Sequence, residues 1–436
     1  MNQRVGVMQG PQAVVSTRYG WVITIMLTLL FMVNWADKAV LGLAAEPIIK
    51  EFHLSNVQFG ILSSSFFLLY GLTGIFAGFV STRVTTTKIM TVLAILWALS
   101  AMPILLLPSI AMLYLSRIIL GASEGPTAPL IVHAVHKWFP ETRRAVPTGM
   151  AQTGGALGVL LSGPMLTWVI YQFGWRYAFA VLALIAIVWV VFWHFLGAEG
   201  PLTTYAAARE GDVGQLAVAD PKVSYWRILG SPTWIGSVLT GIGAYWALVA
   251  GVVWMPRLLE GALGYSHSTV GFLVAFPPVL SAFSMLFFPW LSERAINAGM
   301  GRRLFSGVLT GGLLIVCGIA AALATLSRGP MAVVFMCIAF GLPSGVYPMS
   351  FLMAAHISPV NRRGPILAIS TAVVTTIGGL AAPVLLGVIM DSAGGVMQGF
   401  SDVFVYTSVI MIIGGVIGVI MMRPGADARR FGLHQS

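Results

Sequence analysis

The sequence predicts an all-α membrane protein, with twelve transmembrane helices in two pseudo-symmetric six-helix bundles. Three observations lead to this fold class. Of the 436 residues, 58% are hydrophobic and only 9% are charged, whereas about 25% of residues are charged in a typical soluble protein. The mean hydropathy is high, at +0.90. The apolar residues also form twelve separate runs, and each run is long enough to cross the roughly 30 Å of hydrocarbon in a bilayer.

The twelve runs fill the chain and are separated mostly by short loops. We place them at Trp21–Ala45, Val57–Val80, Ile89–Leu107, Ile110–Val135, Val146–Tyr171, Tyr177–Leu196, Trp234–Leu259, Val270–Leu291, Leu304–Leu326, Met331–Ile357, Ile366–Met390 and Val403–Met422. The longest polar stretch separates six runs from six. We therefore predict an N-terminal bundle over residues 1–198, a cytoplasmic linker over 199–228 and a C-terminal bundle over 229–436. Two such halves around a midplane cavity are typical of transporters.

Basic residues in the loops predict the orientation of the chain. Of the 24 lysines and arginines, eighteen fall on the side that carries both termini, four fall on the opposite side, and Lys38 and Arg117 lie inside apolar runs. Because cytoplasmic loops are enriched in Lys and Arg, we expect both termini to be cytoplasmic and the protein to lie in the cell inner membrane. The net charge of +10 is spread over short loops. This distribution argues against a nucleic-acid partner.

Four ionisable residues lie within the apolar runs of the first half, namely Asp37 and Lys38 in the first run and Arg117 and Glu124 in the fourth. A charge in hydrocarbon is costly unless it faces a protein interior or a water-filled cavity, so these residues are candidates for a functional site. Arg117 and Glu124 are two helical turns apart on one stripe. We expect Asp37, Lys38 and Arg117 to line one cavity, with Glu124 further along the same path.

Each of these residues also has a structural interpretation, which the sequence leaves open. Asp37 and Glu124 could belong to buried ion pairs without proton transfer, and Arg117 to a salt bridge that packs helices. Lys38 could extend its ammonium group to the membrane surface. An enzyme is not indicated, since the sequence has no Ser/His/Asp set or phosphate-binding loop. Its two cysteines and seven histidines show no metal-ligand spacing, so we predict no metal and no cofactor.

Several strings resemble the major facilitator superfamily, and within it the anion:cation symporter group that carries organic carboxylates. They are NWADKAVLG in the first run, RIILGASEGPTAP in the fourth, KWFPETRRAVPTGMAQTGGALG entering the fifth, and FGWRYAF at the start of the sixth. The resemblance covers nearly the whole chain. It implies the major facilitator fold, alternating access, and a small organic anion and protons as partners of a monomer in the lipid bilayer.

Charge balance suggests how an anion and protons are coupled. Without substrate, Asp37 and Glu124 neutralise the two cations. An anionic substrate makes the site over-negative unless these acids take up protons, and proton uptake frees Lys38 and Arg117 for the substrate carboxylate. Each ligand then promotes the binding of the other. The sequence thus predicts a proton-coupled importer of a small organic carboxylate.

Further substrate-binding residues are predicted in both halves. The resemblance favours Tyr70 and Gln152 in the first half. In the second half, aromatic residues that include Tyr245, Trp246 and Tyr347 could line the opposite wall. A role in helix packing or at the membrane interface is the alternative for each of these side chains.

The identity of the substrate is predicted less sharply. Ala372 and Thr376 stand where carriers of this group often have Asn, so few amides are available to bind hydroxyl groups. An aromatic or weakly hydroxylated acid is therefore slightly favoured over a sugar acid such as an aldonate or uronate. Proton-driven efflux is an alternative of another type, because GGALGVLLSGP in the fifth run partly resembles the Gly-Pro pattern of drug antiporters.

Loop residues on the side of the termini are candidates for gating. The superfamily pattern after the second helix is Gly-x-x-x-Asp-Arg-x-Gly-x-x-Arg/Lys, and this chain has GFVSTRVTTTK, with Thr82 in place of the acid. The corresponding loop after the eighth run keeps a Glu-Arg pair, and an Arg-Arg pair, most simply a topology anchor, follows the fourth run. The predicted gating residues are Arg83, Arg143, Arg144, Glu293 and Arg294.

Overall fold

The chain is described from a computed structural model that covers residues 17–81, 83–140, 143–202, 223–301 and 303–433. Within these residues, twelve helices are long and apolar enough to cross a membrane. They are α1 Thr17–Leu43, α2 Asn56–Val80, α3 Thr86–Leu106, α4 Ile110–His136, α5 Ala145–Phe173, α6 Trp175–Leu196, α7 Pro232–Gly261, α8 His267–Asn297, α9 Arg303–Leu326, α10 Pro330–His356, α11 Val360–Ser392 and α12 Val396–Met421. The predicted fold class and helix count are confirmed. The largest error lies at α12, which begins at Val396 rather than Val403.

Several of these helices are interrupted. The interruptions divide α2 into Asn56–Ser65 and Phe67–Val80, α3 into Thr86–Ser100 and Met102–Leu106, α4 into Ile110–Glu124 and Thr127–His136, α8 into His267–Leu273 and Phe276–Asn297, and α10 into Pro330–Gly341 and Pro343–His356. In α9, a π-helical turn over Arg303–Val308 precedes Leu309–Leu326. Proline lies at the break in α4 and begins the second part of α10, because it cannot donate the helical hydrogen bond. Shorter helices cover Ala45–Phe52, Tyr225–Leu229 and Pro424–Arg430.

The even number of crossings puts both described ends of the chain at one end of the bundle, which we call the terminal face. The opposite end is the distal face, and it carries the α1–α2, α7–α8 and α11–α12 connections. The loop charges predict that the terminal face is cytoplasmic.

Glycines let α2 of the first half and α11 of the second half touch near the distal face. A Cβ atom on Gly60 would lie 2.3 Å from the carbonyl oxygen of Pro383. A Cβ atom on Gly387 would lie 2.5 Å from the carbonyl oxygen of Asn56. Because real Cβ atoms do not approach so closely, the two helices could not keep this separation with larger residues there.

Polar contacts join the halves at the same end. The carboxylate of Asp391, on α11, accepts hydrogen bonds from the backbone N–H groups of Asn56 and Val57, each at 2.9 Å, and from the Asn56 amide at 2.6 Å. The Tyr171 hydroxyl on α5 lies 3.3 Å from both carboxylate oxygens of Glu260 on α7. The two halves are therefore held together at the distal face.

At the terminal face, a buried polar cluster fixes the chain where it leaves α6. The Lys137 ammonium lies 2.8 Å from Glu199 and 2.7 Å from the Thr86 hydroxyl, and the backbone N–H of Thr87 donates to Glu199 at 2.8 Å. Burial raises the pKa of Glu199, but the hydrogen bonds from Lys137 and Thr87 outweigh it and leave that pKa below its usual value.

Some residues used in the sequence analysis fall outside the described residues. They include residues 1–16 of the predicted N-terminal bundle, Thr82 in the loop after α2, residues 141–142 in the string that enters α5, and residues 203–222, which make up most of the predicted linker. The domain boundaries around that linker remain predictions.

Candidate functional site

The glycines of the LGASEGP string determine where Glu124 lies. A Cβ atom on Gly121 would be 1.7 Å from the carbonyl oxygen of Phe66, and one on Gly125 would be 2.0 Å from that of Tyr70. These two glycines are one turn apart, so they form one contact stripe on α4. The backbones of α4 and α2 therefore touch, and Glu124 is brought between Phe66 and Tyr70 on one side and α1 on the other.

A second glycine stripe sets the position of α1. Cβ atoms on Gly154 and Gly158 of α5 would be 2.4 Å from the carbonyl oxygen of Thr28 and 2.3 Å from that of Met32. The string MAQTGGALG thus packs α5 directly against one face of α1. Residue Lys38 lies on the neighbouring face of α1, which is turned toward α4 and α2.

Lys38 and Glu124 form a buried ion pair. The Lys38 ammonium is 2.5 Å from Oε2 of Glu124, and the two side chains are only 9% and 0% exposed. The same ammonium donates to Asn34, at 2.6 Å to the side-chain oxygen and 3.3 Å to the backbone carbonyl. Because side chains tilt toward the N-terminus of their helix, Lys38 reaches back along α1 to meet Glu124 and Asn34.

Three aromatic rings surround the Lys38 ammonium. Its nitrogen lies 5.6 Å from the ring centroid of Trp35, 5.5 Å from that of Phe66 and 5.6 Å from that of Tyr70. At these distances, each ring face attracts the cation. We call Trp35, Phe66 and Tyr70 the aromatic cage.

The aromatic cage continues into the second half through further rings. Phe67, which lies 6.0 Å from Tyr70 on α2, packs edge-on against Tyr245 of α7 with centroids 6.0 Å apart. Tyr245 in turn lies 5.6 Å from Tyr347 on α10. Of the residues predicted for the opposite wall, Tyr245 and Tyr347 thus connect to the Lys38–Glu124 pair by ring contacts.

Asp37 and Arg117 lie next to each other but are set back from that pair. Arg117 donates to the backbone carbonyl of Asp37 at 3.4 Å, and its guanidinium lies 5.0 Å from the ring centroid of Phe179 on α6. Arg117 is 2% exposed. Among the described residues, Asp37 makes no ion pair within 4.0 Å. The sequence analysis predicted that Asp37, Lys38 and Arg117 line one cavity, with Glu124 further along the path. In the structure, Glu124 instead forms an ion pair with Lys38. Arg117 lies between α1, α4 and α6.

Trp246 and Gln152 were predicted to bind substrate, but within the described part of the chain no contact connects either of them to the Lys38–Glu124 pair. Trp246 is 4% exposed, and its indole N–H donates to the Thr407 hydroxyl on α12 at 3.5 Å. Its ring therefore packs inside the second half. Its neighbour Tyr245, and not Trp246, contacts the first half, through Phe67. Gln152 is half-buried on α5, near the glycine stripe that packs on α1.

The predicted gating residues lie at the terminal face. Arg83, Arg143, Glu293 and Arg294 are exposed and Arg144 is half-buried. The guanidinium of Arg294 lies 5.4 Å from the ring centroid of Trp290 on its own helix. Their role in gating remains a prediction.

Sequence reasoning missed Asn34 and the rings of Trp35 and Phe66 as parts of the site. Asn34 is four residues before Lys38, the spacing at which two side chains meet on a helix, so this signal was present in the sequence. Phe66 could not be found in this way, because its place depends on the contact between α2 and α4. Across the described part of the chain, no group of three or more His, Cys, Asp or Glu side chains could hold a metal ion.

Comparison with known proteins identifies the family. The model of the Major Facilitator Superfamily matches residues 27–383. The chain belongs to this superfamily. The hexuronate transporter of Bacillus subtilis is 24% identical over 415 residues, which cover 92% of this chain and 94% of that protein. The D-galactonate transporter of Escherichia coli O6:H1 is 23% identical over 425 residues, which cover 94% and 96% of the two chains.

A solved structure has the same fold as this major facilitator protein. A bacterial homologue of the human lysosomal transporter Spinster, in an inward-facing conformation, superimposes with a TM-score of 0.74 at 19% identity, covering 94% of this chain and 98% of that one. Together with the relatives above, these matches confirm the predicted superfamily and the resemblance to its anion:cation symporter group. They also indicate a multi-pass membrane transporter rather than an enzyme.

Proposed function

We propose that this protein is a proton-coupled symporter that imports a small organic anion by alternating access. The observation that carries the proposal is the Lys38–Glu124 ion pair, buried within the aromatic cage of a major facilitator fold. A buried cation paired with a single titratable acid can exchange that acid for a substrate carboxylate. At such a pair the proton competes with Lys38 for Glu124, and the anion competes with Glu124 for Lys38.

Charge balance gives the coupling. Asp37, Lys38, Arg117 and Glu124 together carry no net charge when all are ionised, so a bound monoanion leaves the site with one negative charge too many. Protonation of Glu124 removes that charge and releases Lys38. Leaving one member of a buried ion pair unpartnered costs about 3–5 kcal/mol, so the substrate carboxylate replaces Glu124 as the partner of Lys38. Proton and anion therefore favour each other's binding.

A sugar acid is the substrate class that we favour. This choice is supported by the names of the relatives, which transport hexuronate and D-galactonate. A second candidate is an aromatic or weakly hydroxylated acid. It is favoured by the rings of Phe67, Tyr245 and Tyr347, which extend the aromatic cage into the second half.

The direction of transport follows from the predicted topology. The loop charges predict that the terminal face lies in the cytoplasm and the protein in the cell inner membrane. A proton gradient directed inward then drives uptake.

The contacts of Asp391 and of Gly60 with the opposite half hold the distal face closed. The transport cycle therefore requires these contacts to open when the anion enters.

Uptake into proteoliposomes with an acidic outside medium tests the proposal. We expect accumulation of D-galactonate or D-glucuronate above 4-hydroxybenzoate. Glu124→Gln should lose accumulation driven by the proton gradient but keep exchange of the anion across the membrane. Glu46→Gln is the matched control, because Glu46 pairs with the exposed Lys50 and the nearby Arg257 at the distal face, away from the cage. Undiminished gradient-driven accumulation by Glu124→Gln would contradict the proposal, and outward movement of the solute in an acidic medium would indicate an antiporter.

A further inference from the structure

Asn34 is the third partner of the Lys38–Glu124 ion pair, and no role follows for it from charge balance. It lies one helical turn before Lys38 and is 1% exposed. An ammonium group only donates hydrogen bonds, so the amide oxygen of Asn34 faces Lys38 at 2.6 Å and its amide nitrogen points elsewhere. The side chain is therefore fixed with one end occupied and the other free.

The free end of Asn34 is a buried donor without a partner among the described residues. Its Nδ2 atom is inaccessible and makes no hydrogen bond there. The same holds for Oε1 of Glu124, whose other oxygen binds Lys38. Buried polar groups are normally paired, and an unpaired one needs an explanation. Here an unused donor and an unused acceptor flank one ammonium, as expected of a site that receives a ligand with polar atoms.

We propose that Asn34 holds the Lys38 ammonium in place when Glu124 releases it, and donates its free N–H to an oxygen of the bound anion. This inference rests on the proposed function. The bond between Asn34 and Lys38 involves a neutral oxygen, so it survives protonation of Glu124, whereas the ion pair does not. Without it, the flexible four-carbon stem of lysine would let the ammonium leave the position where the substrate carboxylate binds.

The choice of an amide at position 34 follows from the same chemistry. A carboxylate there would hold Lys38 equally well but would neutralise it permanently and repel an anionic substrate. An alanine would leave Lys38 only the longer bond to the backbone carbonyl of residue 34, at 3.3 Å, and would not donate to the anion. Holding Lys38 and donating to the anion together require a neutral side chain with both an acceptor and a donor. Asn has both groups, and its side chain is long enough to reach Lys38 one helical turn away.

The first arm of the test follows Lys38 directly and needs no substrate. The purified full-length protein is pulsed with acetic anhydride, and acetylation of Lys38 is measured by mass spectrometry of its peptide. Glu124→Gln mimics the protonated acid. We expect Lys38 in Glu124→Gln to react slowly, and Lys38 in the Asn34→Ala/Glu124→Gln double variant to react about tenfold faster, the factor for losing one hydrogen bond to a charged group. Equal rates in these two variants would overturn the proposal.

The second arm measures D-galactonate uptake by Asn34→Asp, a variant of nearly the same shape. We expect Lys38 to remain slow to acetylate in this variant while uptake falls at least about tenfold, because the acid holds the lysine but opposes the anion. Wild-type uptake by Asn34→Asp would overturn the proposal. Thr24→Ala is the control, since Thr24 is a buried polar residue of α1 whose hydroxyl donates to the Gly20 carbonyl of the same helix. It should change neither readout.

The two arms separate the inference from the proposed function. Absence of D-galactonate uptake by the wild-type protein would count against the sugar-acid substrate, and the acetylation rates would still decide whether Asn34 holds Lys38. A double variant that fails to fold would show an altered elution profile in size-exclusion chromatography. Asn34→Ser/Glu124→Gln, with a shorter side chain that cannot span the turn, then takes its place with the same expected acceleration.

Discussion

Removal of the Asp391 carboxylate should weaken the closure of the distal face. This side chain of α11 accepts three hydrogen bonds from the first residues of α2, namely from the N–H groups of Asn56 and Val57 and from the Asn56 amide. It thus supplements the N-cap of α2, which is Ser55, with acceptors supplied by the opposite half of the protein. The bonds exist only while the distal face is closed, so they stabilise that conformation alone.

The size of the effect can be worked from this geometry. Loss of an N-cap side chain typically costs about 0.5–2 kcal/mol. Asp391 is exposed, and solvent weakens charged interactions at an exposed site, so we take about 1 kcal/mol from the middle of that range. Since about 1.4 kcal/mol corresponds to a factor of ten, Asp391→Ala should lower the ratio of distal-closed to distal-open protein roughly fivefold.

Distances between spin labels on the two halves measure this ratio. Labels on cysteines introduced at Lys50 and Arg328 would report the separation of the halves at the distal face, in a background without Cys317 and Cys337. Both label positions are exposed. We expect Asp391→Ala to transfer population from the short-distance to the long-distance peak.

Asp402→Ala is the matched control for this experiment. Asp402 also lies near the distal face, at the start of α12, and among the described residues it forms no ion pair with the first half. An unchanged distance distribution in Asp391→Ala, or an equal change in Asp402→Ala, would refute the reasoning that the trans-acting cap holds the face closed.

Three further predictions concern the site, the contact between α2 and α4, and the polar cluster at the terminal face. Gly125→Ala should destabilise the protein by about 1–3 kcal/mol, seen as a lower melting temperature, because its Cβ would lie 2.0 Å from the Tyr70 carbonyl oxygen. Tyr70→Leu should raise KM about threefold to thirtyfold by removing one cation–π contact with Lys38, whereas Tyr70→Phe keeps that contact. Glu199→Gln should lower the melting temperature at neutral pH, since it removes the charged partner of Lys137.

The pH dependence of the last variant has a definite sign. The folded-state pKa of Glu199 is lower than its ordinary value of 4.5, so the carboxylate stabilises the fold above that value. This contribution is lost as the pH falls through the lowered folded-state pKa. The melting curves of wild-type protein and Glu199→Gln should therefore converge in acid, and a difference that persists or grows there would contradict the assignment.

Controls for the other two predictions come from the same chain. A Cβ atom added to Gly78, on α2, would meet no described atom within 4 Å, so Gly78→Ala should be neutral or slightly stabilising. A melting temperature lowered equally by Gly78→Ala and Gly125→Ala would show that backbone contact is not the cause. Equal KM values for Tyr70→Leu and Tyr70→Phe would show that the ring does not contribute to the site.

The sequence alone determined the membrane fold and the depth of its charged residues. Long apolar runs have few alternatives to transmembrane helices, because every backbone polar group in a bilayer must be paired within the chain. Asp37, Lys38, Arg117 and Glu124 stood out because charges are costly in that environment. Helical spacing also placed residues such as Arg117 and Glu124 on a common face of one helix.

Only the tertiary structure decided which of these residues meet. Periodicity fixes the faces within a helix, but it says nothing about the rotation and separation of one helix relative to another. Those are set by backbone contacts at glycines such as Gly121 and Gly125, which bring Glu124 to Lys38 and leave Arg117 beside Phe179. The same reason explains why Tyr245, and not Trp246, connects the second half to the site.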